Sequence, residues 1–590
     1  MDDYRGPQPR VQPNQRSRNT HQKIPMNKLQ TALLQTFIED VPRNLARFDE
    51  ATGRFLTEGG WAITNQDHIY PLALLYTTAH ADNPYYHDAT LLPYIQRGGD
   101  AWRDFQYPDG KVEFIKVDDS TWGPIYMPWS MYHWVETYAL VADELGEERR
   151  ARWQAGLTLA YDGITAQLAN GRVHNIPTWD GMATYRAGQL FDRADWRAAG
   201  EAMIHLAVKE QMPGGYWLEH HGPTPSYNTV YVHAIGLYYY FSGDDSVLPA
   251  LERATDFHIR YTYPDGRLVE TIDGRVKYHD RVNVHGWSAF SLFPQGRRYV
   301  NFLFDHWLAD RRAHPLPHLT YNQTTGGPKI ASGEYGLSAR LAPLLQHYDG
   351  PNGQTDEESI PQEQPVYRIH DPEHAILHRK DGWFVCLSGV VTPVVESRWG
   401  QDRQSYLSIW HEETGLLVGG GNAKDQPQLS TFAVGAGETL RYIPTTAHLA
   451  TEADKDQVTL GYDTTTCTVE VSIENAQQIL ITFSGPAEST SALGQLPLKV
   501  NPGTPLQSAT GASYPTEQTK LDLDADTVGG WLQHGRWRIH MPPESRLLWP
   551  VAPFNPYAAD GAGPLEEAAA VLVAPLGAAP VTVTLEIVAA

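Results

Sequence analysis

Apolar residues recur at intervals of three and four over most of the first 348 positions of the chain. The stretches LQTALLQTFIEDVPRNLARF, MYHWVETYALVADELGEERRARWQAGLTLAYDGITAQLA and WRAAGEAMIHLAVKEQ carry this spacing, which gathers the apolar side chains on one face of a helix. Short segments rich in Gly, Pro and Asp, such as MPGG at 212–215 and SGDDS at 242–246, separate them and read as turns. The periodicity predicts about ten to twelve helices between residues 28 and 348. Successive hairpins share no visible sequence repeat, so no regular solenoid is expected. Beyond residue 364 the period falls to two, in AILHRKDGWFVCLSG, QSYLSIWHEETGLLVGGG, CTVEVSIENAQQILITFSG, RWRIHMP and VTVTLEIVAA. Alternation punctuated by Gly, Asn and Asp predicts antiparallel strands.

The chain therefore divides into four parts. Residues 1–27 are rich in Pro, Gln, Arg and Asn and are expected to be a disordered tail. Residues 28–348 form a helical domain, and 349–364, DGPNGQTDEESIPQEQ, form a polar acidic linker. Residues 365–590 form an antiparallel β-sandwich. The fold class is multidomain, α then β: an array of helical hairpins followed by the sandwich.

Composition narrows the function. Of 590 residues, 41% are hydrophobic and 19% charged, as in a folded globular protein. The formal net charge of −23 argues against general nucleic-acid binding, which requires a basic surface. No run of 18 or more apolar residues is present, so no membrane span is expected. The N-terminus has no apolar signal core, which points to the cytoplasm unless a leader precedes it. Cys386 and Cys467 are the only cysteines; two separately buried thiols are expected. The 17 Trp and 31 Tyr crowd polar segments such as TWGPIYMPWSMYHW and GGYWLEHHG. Flat apolar rings beside hydrogen-bonding groups suit the C–H faces of sugars, so carbohydrate is the expected substrate class.

The densest mixture of polar and aromatic residues runs from 172 to 233. It reads as a loop, HNIPTWDG, then a helix from about Met182, a second helix over 194–211, a Gly-rich turn and a third helix from about Asn228. Asn175, Asp180, Glu219, His220, His221 and Tyr227 then fall at helix ends and loops. In an array of hairpins alternate loops meet on one face, so these groups converge on one cleft. Since His220 and His221 are adjacent, only one of them is expected to face it.

This order resembles the heparinase II/III-like polysaccharide lyases and their alginate-lyase relatives. In that family an Asn precedes a helix, and a Gly-containing turn, a Glu and a helix-opening Tyr follow some forty to fifty residues later. Here these look like Asn175, Gly214–Gly215, Glu219 and Tyr227. The stretch WGQDRQSYLSIWHEETGLLVGGGN is similar to the family's strand–turn–strand near the active site. Two departures stand out. The family's His-x-His-x-Asp-like stretch is replaced by Gln401, Asp402 and Arg403, and His174-Asn175 inverts the Asn-His order.

The resemblance implies an (α/α) toroid of helical hairpins followed by an antiparallel β-sandwich, and β-elimination from a uronate. The C5 proton leaves beside a carboxylate and the C4–O bond breaks, so the site must neutralise the carboxylate and hold the enolate. A base must face C5 and an acid the departing oxygen. A Tyr serves both purposes where cations lower its pKa from about 10. The expected catalytic residues are Tyr227, Asn175, His221 and His285. His220, Glu219, Arg186, Trp179, Trp217 and Arg403 are expected to bind substrate, with Arg186 and Arg403 clamping carboxylates. The implied partner is an acidic poly- or oligosaccharide, with no cofactor and no metal. His370, His374 and His378 fall four apart, but Pro372 and the alternation after it favour a strand over a helical metal stripe.

A toroidal glycoside hydrolase is the alternative. It would use a carboxylate pair, Asp180 and Glu219, with Asp67, Asp280 and Glu334 in reserve. A non-catalytic carbohydrate-binding protein is the third reading.

Overall fold

The computed structural model describes residues 26–56, 60–116, 119–275, 281–313, 319–321, 328–330, 339–348, 356–419, 422–486, 491–556, 558 and 560–589. The expected tail thus lies, but for its last two residues, outside the described residues, as do Asp280 and Glu334.

The helices are α1 (Lys28–Leu45), α2 (Ile69–Thr77), α3 (Leu92–Phe105), α4 (Pro128–Val141), α5 (Gly146–Leu168) and α6 (Asn175–Leu190), followed by α7 (Ala194–Lys209), α8 (Pro225–Ser242) and α9 (Leu248–Arg260). The short α10 (Trp287–Phe290), the long α11 (Pro294–Ala313) and the short α12 (Ala342–Gln346) are the others among the described residues of this half. They form two layers. Along α2, α4 and α8 almost every residue is buried, including the unbroken run 228–239 of α8; such helices are apolar all round and make the inner layer. The outer helices keep a single buried stripe: Ile95, Gly98, Gly99 and Trp102 on α3, and Ala250, Leu251, Ala254 and His258 on α9. Within the inner layer α2 packs on α4, α4 on α6, α6 on α8 and α8 on α10, while α5 packs on α3 and α7 outside. This is the expected toroid of hairpins.

One boundary differs from the expectation. Helix α6 begins at Asn175, so most of HNIPTWDG is helical and not a loop. Pro177 reads as a breaker, yet in the first turn its missing N–H would have no intrahelical partner, and the ring is tolerated there.

The second half is built from antiparallel sheets. One runs in the order Leu521–Asp524, Arg546–Val551, Ala569–Leu576, Ala492–Lys499, Gly415–Val418, Leu407–His411, Trp383–Ser388, Ala375–Lys380, Tyr367–Asp371, with Phe432–Val434 also on Ala492–Lys499. The other runs Thr446–Glu452, Lys455–Tyr462, Thr465–Asn475, Gln478–Ser484, Val581–Ile587, Trp537–His540, Trp531–His534, Leu506–Ser508, Ser513–Tyr514. Strands such as Thr465–Asn475 alternate buried and half-exposed side chains, and the inward sets pack as one core between the sheets. Cys386 and Cys467 are both free thiols, buried in different clusters.

The two halves are joined by more than the connecting chain. Arg260 pairs with Asp371 at 3.0 Å, Tyr263 Oη donates to Ser408 Oγ at 2.8 Å, and Trp410 Nε1 donates to Asp265 at 2.8 Å. The later part of the acidic connector is docked too: Ile360 is buried, and Gln362 donates to the Thr262 carbonyl at 2.9 Å. His374 contacts Asp371 and His378 contacts Asp456, and among the described residues no three His, Cys, Asp or Glu side chains form a metal-ligating group.

Candidate active site

Glu219 and Gly222 are bridged, with Glu219 N–H donating to the Gly222 carbonyl at 3.0 Å. The residues between them, His220 and His221, have φ of 51° and 70°. A two-residue hairpin with both central residues left-handed is the primed turn that matches strand twist. Neither is glycine, so each carries strain of roughly 1–3 kcal/mol. The turn sends the two rings apart. His220 is half-buried and its Nε2 lies 3.2 Å from Arg275 Nη1, whereas His221 is exposed. The structure therefore places His220 in the cluster, where the sequence reading assigned catalysis to His221.

Glu219 is buried and gathers its neighbours. Asn175 Nδ2 donates to Oε1 at 3.0 Å, Tyr231 Oη donates to the same oxygen at 3.2 Å, and His174 Nε2 lies 3.3 Å from Oε2. Burial alone would raise its pKa; His174, Asn175 and Arg275 outweigh burial and hold the carboxyl below its ordinary value. Glu219 is thus an ionised anchor that orients the first residue of α6 and the His before it.

Tyr227 lies in the first turn of α8, and Arg275 Nη2 donates to its hydroxyl at 2.9 Å. The guanidinium carbon sits 4.4 Å from the ring centroid. Asp273 fixes this pairing. Its Oδ2 accepts from Ser226 N–H at 3.1 Å and Ser226 Oγ at 2.9 Å, while Oδ1 accepts from Arg275 N–H at 2.7 Å. A carboxylate at the start of α8 is also favoured by the helix dipole. Burial, reinforced by the Arg275 charge, lowers the pKa of His220, so its ring is neutral at pH 7.

The sandwich holds this segment from behind. Arg403 is buried and donates to the carbonyls of Ile272 at 2.6 Å and Pro223 at 2.7 Å. Its guanidinium lies against Gly222 and Gly274, where a Cβ would overlap it. Gln401 N–H donates to the Gly274 carbonyl and Asn422 Nδ2 to the Asp273 carbonyl, both at 2.9 Å. Arg403 grips backbone; it is not placed as an open carboxylate clamp.

Other expected residues take different partners. Arg186 is eleven residues along α6 from Asn175, about 16 Å at 1.5 Å per residue, and its partner is Glu136 at 2.6 Å. Trp179 is buried and donates to the Pro128 carbonyl at 3.1 Å. Trp217 is 1% exposed and stacks on Tyr231 at 4.9 Å, so neither indole offers an open sugar platform. His285 packs edge-on against His233 at 5.8 Å and has no described contact with Tyr227. Asp180 does not share a cleft with Glu219. Five residues beyond Asn175, it is turned about 140° around α6 and is buried. Burial raises its pKa well above the ordinary value, and Oδ1 has no hydrogen-bond partner.

Arg275 is the residue the sequence reading missed. It stands 48 positions after Tyr227 in TIDGR, and its only local signal is the Asp-Gly turn before it.

A helical toroid joined to an antiparallel sandwich, with this polar cluster where the two meet, has the fold of the polysaccharide lyases. Among solved structures, Paenibacillus xanthan lyase matches with a TM-score of 0.54 and 11% identity over 95% of this chain; the chain spans 57% of that protein. The Streptomyces coelicolor A3 chondroitin AC lyase, solved in complex with chondroitin sulphate, matches with a TM-score of 0.50 and 13% identity, covering 96% of this chain and 80% of that one. Heparinase III matches with a TM-score of 0.50 and 10% identity, covering 97% and 86%. At these identities the likeness is one of fold. No family model matches the chain, and no curated protein sequence is significantly similar to it.

Proposed function

We propose that this protein is a polysaccharide lyase that cleaves a uronate-containing glycan by β-elimination. The observation that carries the reading is the Tyr227 hydroxyl held at 2.9 Å by Arg275, which also reaches His220 at 3.2 Å. A guanidinium that donates to a phenol oxygen favours the phenolate, the form needed to take a proton from carbon. The solved proteins of this fold named above are lyases of xanthan and chondroitin and a heparinase, which supports an acidic glycan as substrate.

In this mechanism His174 and Asn175, fixed by Glu219, face the uronate carboxylate and neutralise it. Tyr227 removes the proton from C5, and the electron pair forms the C4–C5 double bond as the C4–O bond breaks. The proton passes from Tyr227 to the departing oxygen, so one group serves as base and then acid and returns to its starting state. Neutral His220 and the Arg275 cation keep the phenol oxygen aimed at the reacting carbon. Arg403 acts indirectly, by positioning the backbone on either side of Tyr227 and Arg275.

The test is incubation with alginate, glucuronan, heparan, chondroitin and ulvan-type oligosaccharides, following the ultraviolet absorbance of the unsaturated product. Absorbance that grows with the wild type and is lost in Tyr227→Phe supports the proposal. New reducing ends without that absorbance would establish hydrolysis in its place, and binding without either product would establish a carbohydrate-binding protein.

A further inference from the structure

Lys424 and Asp402 form an ion pair buried in the sandwich, with Nζ donating to Oδ1 at 2.9 Å. Oδ2 of the same carboxylate accepts from Asp425 N–H at 2.9 Å, and Asp402 N–H donates to the Ala423 carbonyl at 2.8 Å. The ammonium also donates to the Val395 carbonyl. One side chain therefore ties both ends of the segment 395–402 together and closes it into a loop.

The closed loop bears on the polar cluster at consecutive residues. Gly400 lies against His220: a Cβ built on it would stand 3.1 Å from Cγ of the imidazole and 2.7 Å from Cγ1 of Val395. Across the ring from Cγ, Nε2 faces Arg275 Nη1 at 3.2 Å, so the imidazole spans from the loop to the guanidinium. Gln401 N–H donates to the carbonyl of Gly274, the residue before Arg275, and Arg403 grips the carbonyls of Ile272 and Pro223. Asp402, between these two grips, is the residue that Lys424 anchors. Trp399 meets Trp122 of the helical half at 5.9 Å, nearly edge-on.

Stability alone does not account for a buried pair at this place. Taking two charges out of water offsets most of their attraction, and apolar side chains of similar volume are often as stable or more so. What the pair supplies is direction, because the ammonium offers only donors and takes its two acceptors from opposite ends of one loop.

We propose that Lys424 and Asp402 are positioning residues for the elimination, holding the loop so that Gly400 backs the His220 ring and Gln401 steadies the segment that carries Arg275. Both side chains are buried and act through the loop. Naming the reaction rests on the lyase reading; the placement of His220 by the loop does not.

The experiment uses the full chain with histidines labelled for NMR, and His220→Gln identifies the His220 signal by removing it. Lys424→Met combined with Asp402→Asn removes both charges and leaves an acceptor for Asp425 N–H, so a urea midpoint close to that of the wild type is expected. Its His220 signal should nevertheless move, although neither substitution touches that ring. On the glycan, kcat should fall about tenfold or more with KM within about threefold, the mark of a contact that matters in the transition state. The pH–rate profile should move to higher pH as Arg275 loses its alignment on the phenol oxygen. Should the double variant fail to fold, Gly400→Ala carries the test, since its methyl group must displace the loop or the ring; the same changes in kcat and pH profile are expected. A folded double variant with an unmoved His220 signal or wild-type kcat overturns the proposal, as does wild-type kcat in Gly400→Ala. A moved signal in a protein that yields no unsaturated product would leave the positioning standing and remove the lyase reading; product with an unmoved signal would do the reverse.

Discussion

One guanidinium, that of Arg275, donates to the Tyr227 hydroxyl at 2.9 Å and reaches His220 Nε2 at 3.2 Å. The planar fork makes both contacts at once, which a lysine ammonium on a flexible stem does not reproduce. Arg275→Lys is therefore expected to lower kcat by about 10²–10³, the usual cost of losing one aligned donor at developing charge, with the fold intact by circular dichroism. Removing the aligned donor destabilises the phenolate, so the pH–rate profile should move to higher pH. A profile that stays in place would separate Arg275 from the proton transfer.

His220 and His221 offer a paired comparison on one turn. His220→Gln is expected to lower kcat about tenfold or more, because the ring bound to Arg275 is lost. His221→Gln should stay within about threefold, since that side chain is exposed and surface changes are usually small. Steady-state kinetics on the same glycan checks both, and a reversed pattern would return the role to His221.

Arg403→Met should act through stability. Two buried carbonyls, Ile272 and Pro223, lose their donor, at about 1–3 kcal/mol each. Denaturant unfolding should show a loss of about 2–6 kcal/mol, with kcat falling as the Arg275 segment shifts. A rise in KM with unchanged stability would instead make Arg403 a direct carboxylate ligand.

Asp180→Asn is expected to stabilise the protein at pH 8 and to leave elimination unchanged. Because burial raises the Asp180 pKa, the folded state binds a proton that the unfolded state gives up above about 4. Stability is therefore lost as pH rises through that window. The amide removes the penalty, so the melting temperature should rise by a few degrees at pH 8 and by little at pH 4. Loss of activity would revive the carboxylate-pair hydrolase.

Acid should unfold the protein for the opposite reason. Burial lowers His233 and His258 to about 3 and His534 to about 4, and His534 Nε2 accepts from Asn501 N–H at 3.0 Å. Unfolded histidines protonate near 6.5, so the stability these three contribute is complete above that value and is lost as pH falls toward 4 and 3. Each is worth about 2 kcal/mol between pH 6.5 and 5 at 1.36 kcal/mol per unit. Urea midpoints measured at both pH values should fall accordingly; flat midpoints would mean that the rings are already solvated.

Periodicity alone determined that helices come first and antiparallel strands second: spacing of three and four in the first half of the chain and of two in the second. Such patterns are local consequences of helix and strand geometry, repeated over hundreds of residues, and one Pro misplaces a boundary without disturbing the whole. Asn175, Glu219 and Tyr227 were legible as well, because each stands at a turn or helix start with polar neighbours in sequence. Tertiary structure decided the rest. Which of two adjacent histidines faces Arg275 depends on two left-handed φ angles that nothing in His-His specifies. Trp179, Trp217 and Arg186 have the chemistry of sugar and carboxylate ligands, but packing turned them to Pro128, Tyr231 and Glu136. Arg275 joined Tyr227 across 48 residues because Asp273 bonds both segments and Arg403 clamps them from another domain. Those are long-range hydrogen bonds between buried groups, and a residue's own neighbours in sequence carry no record of them.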